Sequence, residues 1–155
     1  MTENLNYKTD DSWCYDDKIS NCQKYGRLYT WDAAINACPS GWRLPTDDDW
    51  WNMASYYGKA YNFEYGQSIN KDSLSGKEAY KALIEEGSSS FSVVMGGYRD
   101  KDGSFKKLDM NGYYWSNSEQ SFSIGWYYAF SRLVGDLGRY NYDKSVGRSC
   151  RCIQD

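Results

Sequence analysis

From Thr30 the apolar positions Trp31, Ala34, Ile35 and Cys38 recur at i, i+3, i+4 and i+7, which is one face of a helix. Thr30 can cap its start and Pro39 stops it, which places Cys38 on the buried face at the helix end. A second helix is expected from Thr46 through Trp50, Met53, Ala54 and Tyr57 to Gly58. Thr46 with Asp49 three residues on resembles a capping box, with Asp in place of Glu. Asp47, Asp48 and Asp49 fall in the first turn, where the helix dipole favours negative charge. Such a run also looks like a calcium site, but cap and dipole account for it and are preferred. Gly76 to Glu86 reads as a third helix, with Ala79, Leu83, Tyr80 and Ile84 facing in and Gly87 ending it. Up to Tyr29 there is no helical period, only a short strand at Leu5 and Tyr7. Tyr61 to Ser75 reads as an irregular loop and Ser88 to Ser90 as a linker.

From Phe91 the period becomes two. Phe91, Val93 and Met95 alternate with their neighbours, and Asp102-Gly103 between Tyr98 and Phe105 is a hairpin signal. Asp100 to Gly103 resembles the start of a calcium loop, yet lacks the full spacing and the bidentate Glu, so the turn is preferred. Tyr113 to Ser116 is a strand. In the next strand Trp126, Tyr128 and Phe130 share one face and Tyr127, Ala129 and Ser131 the other. Gly135 and Gly138 mark a turn. Arg139 to Tyr142, a turn near Gly147 and a last strand Ser149 to Ile153 follow. Helices early and strands late give a single α+β domain without internal repeat.

Composition changes this picture in three ways. Mean hydropathy of -0.83 would suggest disorder, but 18% of the residues are aromatic and each buries a large area. There is no His, which excludes Ser-His-Asp and Cys-His catalysis and HExxH zinc sites. A net charge of -3 disfavours nucleic-acid binding. No run of 18 apolar residues and no secretory h-region occurs, so the chain reads as soluble, mature or excised from something longer. Its five cysteines, Cys14, Cys22, Cys38, Cys150 and Cys152, form no CxxC pair. They read as two disulfides and one odd thiol in an oxidising compartment, with Cys14 and Cys22 closing a local loop.

Several segments together resemble one family. They are Glu3 to Tyr7, Tyr25 to Ala34, the stretch CPSGWRLPT from Cys38 to Thr46 with Trp50, Gly96 to Asp100, Tyr114 to Ser116 with Glu119, and Arg151 to Ile153. The combination is similar to the Fibrobacter succinogenes major paralogous domain family. The segment Tyr56 to Ser90 matches it least, and Cys150 stands where the family tends to have Val. The resemblance implies a C-type lectin-like fold in the formylglycine-generating-enzyme branch. Two helices, with a third, would pack on small antiparallel sheets, the N- and C-terminal strands paired. It also implies a disulfide between Cys38 and Cys152, which leaves Cys150 free. Family members usually follow a signal peptide or lie inside larger surface proteins, and the expectation for this chain is a mature or excised piece that shows neither.

In that fold the segment from Trp115 to Arg148 forms the ligand-binding face, and in relatives diversified by retroelements it is hypervariable. Here it is rich in Tyr, Ser, Gly, Arg and Asp, a palette of rigid anchors and adaptable polar groups. From Trp126 to Asp155 five basic side chains face three acidic ones, a local excess of +2. Trp126 and Phe130 are expected in the core. Tyr127, Ser131, Arg132, Asp136, Tyr140, Tyr142 and Asp143 are the expected ligand contacts, with Tyr140 and Tyr142 as a platform and Arg132 and Asp136 at its rim. Pro occurs only at 39 and 45, so the Glu-Pro-Asn type of calcium-dependent sugar motif is absent, and Trp115-Ser-Asn117 is not its Trp-Asn-Asp partner. The expectation is a non-catalytic, secreted or cell-surface binding module without cofactor or metal. Its partner would be a protein or carbohydrate at a surface, and it would act as a monomer or within a larger surface protein. The alternatives are a display module and, through Cys150 and Cys152, a copper-thiol oxidase.

Overall fold

The computed structural model of the chain describes residues 1–58 and 74–155. The expected loop at Tyr61 to Ser75 falls almost wholly outside them. Four helices are described, α1 (Ile19–Tyr25), α2 (Trp31–Ala37), α3 (Asp47–Gly58) and α4 (Leu74–Leu83). The strands are β1 (Ser12–Trp13), β2 (Leu28–Tyr29), β3 (Trp42–Arg43), β4 (Tyr98–Arg99), β5 (Phe105–Lys106), β6 (Asn111–Ser121), β7 (Ile124–Ser131), β8 (Asp136–Asp143), β9 (Arg148–Ser149) and β10 (Ile153–Gln154). The α+β class expected from the sequence is the class observed.

A six-stranded sheet in the order β1-β2-β9-β6-β7-β8 forms the centre. β6, β7 and β8 run as an antiparallel meander, while β9 joins β6 in parallel. Alternation along the strands sorts side chains onto two faces. Tyr114, Tyr128, Phe130 and Leu137 face α3 and α4 and pack with Trp50, Ala54, Ala79, Leu83, Val93 and Met95. Trp50 stacks on Tyr128 with ring centroids 5.1 Å apart. On the opposite face Trp115 packs with Leu5, Tyr29, Ala34, Ala37 and Leu44.

Both expected helix starts carry their caps. The Thr30 hydroxyl accepts from the Ala33 N–H, and Thr46 and Asp49 exchange reciprocal bonds of 2.8 and 3.2 Å. Arg43 clamps the same Asp49, and this hydrogen-bonded guanidinium holds the Asp49 carboxyl below the usual range. The hairpin at Asp102-Gly103 joins β4 and β5, with Gly103 at φ 86°, where a side chain would be strained.

Five expectations change. α1 exists although no period announced it, because its only buried residues are Cys22, held by the disulfide to Cys14, and Tyr25. α4 begins two residues earlier than expected and ends at Leu83, after which Ile84 bridges Val93. Val93 and Met95 are buried, but Phe91 to Met95 forms no strand beyond that bridge. Gly138 lies within β8 rather than in a turn. The terminal strands do not pair with each other. Leu5 N–H donates to the Cys150 carbonyl at 2.8 Å, whereas β10 pairs with β3. The disulfide Cys38–Cys152 ties the end of α2 to the C-terminal segment at the second core, and Cys150 is free and buried.

The Asp47–Asp49 run also departs from the cap-and-dipole reading. Asp47 is buried and accepts from Arg139 Nε at 2.8 Å, Arg139 Nη2 at 2.7 Å and the Tyr128 hydroxyl at 2.9 Å. It is an internal partner of β7 and β8.

Candidate functional site: a tyrosine cleft around Arg148

Ser149 in β9 lies opposite Tyr114 of β6, whose ring belongs to the main core. Its neighbour Arg148 therefore projects to the other face, where alternation also sends Tyr113, Trp115 and Tyr127. The Arg148 guanidinium carbon lies 3.6 Å from the Tyr127 ring centre, 4.8 Å from Trp115 and 5.4 Å from Tyr113. Tyr142 and Tyr98 complete the ring of aromatics at 5.8 and 5.9 Å. Together with Asp100 these tyrosines and Arg148 line an open cleft of about 240 Å³.

Five separate strands build this cleft, with Tyr98 from β4, Tyr113 from β6, Tyr127 from β7, Tyr142 from β8 and Arg148 from β9. The Tyr140 ring stacks on Tyr127 at 5.7 Å beside it. Gly138 permits this, since a Cβ there would lie 2.5 Å from the Tyr140 ring.

The electrostatics of the cleft are uneven. Arg148 is 3% exposed, and burial pushes its pKa down to about 10. The groups around it that favour its protonated form are tyrosines rather than carboxylates, and its Nε–H has no hydrogen-bond partner among the described residues. Asp100, by contrast, receives Lys106 Nζ at 2.6 Å and the Lys101 N–H at 2.8 Å, which hold its carboxyl below the usual range. Burial raises the Tyr113 phenol to about 12, and it also moves the Tyr127 phenol upward. The cleft thus presents neutral phenols, one compensated carboxylate and one uncompensated guanidinium.

Of the expected contact residues, the structure brings Tyr127, Tyr140 and Tyr142 together, with Tyr140 41% and Tyr142 46% exposed. Asp143 lies beside them but is occupied by Ser145 and by Lys101 at 3.1 Å. Ser131 and Asp136 pair with each other four ladder positions from the Tyr127–Tyr140 pair, roughly 13 Å along the strands. Asp136 is buried and accepts from the Leu137 N–H, and desolvation raises its pKa. Arg132 is exposed at that same distant hairpin. Arg132 and Asp136 therefore do not rim the tyrosine platform as expected. Trp126 is half-buried rather than core, covered by the Arg139 guanidinium at 3.4 Å.

Sequence reasoning missed Arg148, Tyr98, Tyr113 and Asp100. The usable signal was parity, since Tyr113, Trp115 and Tyr127 share an odd-numbered face that the parallel β6–β9 contact joins to Arg148. That contact is not readable from the local pattern.

A second cluster holds sulfur. The Cys150 Sγ lies 3.9 Å from each sulfur of the Cys38–Cys152 disulfide, and the three sulfurs lie within 4.8 Å of one another. Three such thiolates could bind a soft metal only after reduction of the disulfide. Cys150 is fully buried and burial raises its pKa to about 12.

The match to the Fibrobacter succinogenes major domain runs from residue 1 to residue 154. The chain belongs to that family. No curated protein and no solved structure matches it. Every residue that lines the tyrosine cleft of this Fibrobacter succinogenes major domain lies within the matched span. Among the described residues no helix is long and apolar enough to cross a membrane.

Proposed function

We propose that this domain is a non-catalytic ligand-binding module of lectin-like or adhesin type, of C-type lectin-like fold, working outside the cell. The observation that carries the reading is the convergence of Tyr98, Tyr113, Tyr127 and Tyr142 on one open cleft, with Tyr140 at its side. Rigid amphipathic rings supply contact area at low entropic cost, and their hydroxyls supply direction. Two disulfides support an oxidising location. The thiol-oxidase alternative has weaker support, because Cys150 is sealed in the core and Cys152 is spent in a disulfide.

A glycan and protein array with the purified domain tests the reading. Binding should fall at least tenfold for Tyr142→Ala and for Tyr140→Ala with the fold retained. Trp126→Ala should act on stability instead. Full affinity in both tyrosine variants would place the site elsewhere, and a domain with no hits would be a display module.

A further inference from the structure

The feature of the cleft that packing does not explain is Arg148. A buried guanidinium normally meets a carboxylate, because removal of a charge from water is expensive without one. Arg139 meets Asp47, and Arg151 donates to Asn4 Oδ1 at 2.7 and 3.1 Å and to the Phe91 carbonyl. Arg148 meets tyrosine and tryptophan rings and the hydroxyl of Tyr127, with no carboxylate among these contacts, and its Nε–H is left over. Ring faces and one neutral phenol oxygen offset part of the loss but supply no anionic pair of oxygens for the fork to grip.

The geometry points to a carboxylate-bearing sugar unit as the ligand of this cleft, its carboxylate on the Arg148 guanidinium and its ring against Tyr127 and Tyr142. This inference rests on the reading of the tyrosine face as a binding site. A guanidinium fork matches a carboxylate in two parallel hydrogen bonds. One unpaired cation suits one negative charge. A phosphate dianion would meet Asp100 in the same cleft without a second free cation there. The volume of about 240 Å³ lies just under the ~300–1,000 Å³ of ordinary small-molecule pockets and fits one ring with its acid group. Phenol faces suit the C–H faces of a pyranose. Phenol hydroxyls and Asp100 suit its hydroxyl groups. An acidic peptide shares the carboxylate but not the ring, so it serves as a competing arm.

The test titrates the ¹⁵N-labelled domain with methyl glucuronide, N-acetylneuraminic acid, neutral methyl glucoside, acetate and a blocked Gly-Glu-Gly peptide. NMR shifts of the Arg148 Nε–H and of the cleft tyrosines are followed. At least one acidic sugar should move these signals and bind ten times or more tighter than methyl glucoside and acetate. Arg148→Met should lose that preference while remaining folded, and Arg148→Lys, which keeps the charge without the fork, should fall between. Equal binding of methyl glucoside and the acidic sugars, or undiminished binding by Arg148→Met, overturns the acidic-sugar inference. If Tyr142→Ala still weakens that neutral binding, the tyrosine face survives as a site. Tighter binding of the peptide than of either acidic sugar also overturns the inference. No shift at the cleft with any probe, together with array binding insensitive to Tyr140→Ala and Tyr142→Ala, removes both readings.

Discussion

Removal of the Asp47 carboxylate should destabilise the domain more than any change at the exposed tyrosines. Asp47 and Arg139 are joined by two bonds of 2.8 and 2.7 Å, with side chains only 7% and 6% exposed. Asp47→Ala leaves the Arg139 cation buried over Trp126 without a counter-charge, a change that typically costs about 3–5 kcal/mol. The Tyr128 hydroxyl loses its 2.9 Å acceptor but keeps the Asp47 carbonyl at 3.2 Å, which adds less than ~1 kcal/mol. At ~2–4 °C per kcal/mol for a chain of this size, the melting temperature should drop by about 6–20 °C. Arg139→Met should cost about as much, since it strands the carboxylate instead. The double variant should be no worse than either single one, a coupling of ~3 kcal/mol. Urea unfolding followed by tryptophan fluorescence measures all four corners of the cycle. Additive single effects, or an Asp47→Ala cost below ~1 kcal/mol, would refute the argument. So would a calcium-induced rise in melting temperature of several degrees, because the Asp47 oxygens would then be metal ligands.

Three further outcomes follow from the packing. Burial raises the pKa of Tyr29, Tyr113 and Tyr128 above that of an unfolded tyrosine, so their contribution to stability is complete below about pH 10 and is lost as pH rises through the folded values. Melting temperature should therefore fall between about pH 10 and 12, with the ultraviolet signal of these phenolates emerging on unfolding; a flat profile there would contradict their burial. Cys150 should resist iodoacetamide at pH 8 in the native protein and take up the label in denaturant, whereas native labelling would mean that its site opens. Gly138→Ala should displace the Tyr140 ring and weaken binding at least as much as Tyr140→Ala, which paired affinity measurements would check; unchanged affinity would detach Tyr140 from the site.

Sequence determined the elements whose signals are local. Thr30 and Thr46 could be read as helix starts because a cap needs only three or four successive residues. Asp102-Gly103 announced its hairpin because a tight turn is a backbone property of adjacent residues. Phe130 could be assigned inward from alternation, since a strand has only two faces, but the same rule put Trp126 in the core, where it is only half-buried. The tyrosines 127, 140 and 142 were legible by the same rule. What alternation cannot tell is which element covers which part of a face. Asp47 looked like a cap residue because its partner Arg139 stands 92 positions away on β8. Helix α1 was invisible because a disulfide and one tyrosine anchor it instead of an apolar stripe. Arg148 came to line the cleft only when five strands, two of them two residues long, met around it. Charge without a partner is a property of assembled space, and only the tertiary structure could reveal it.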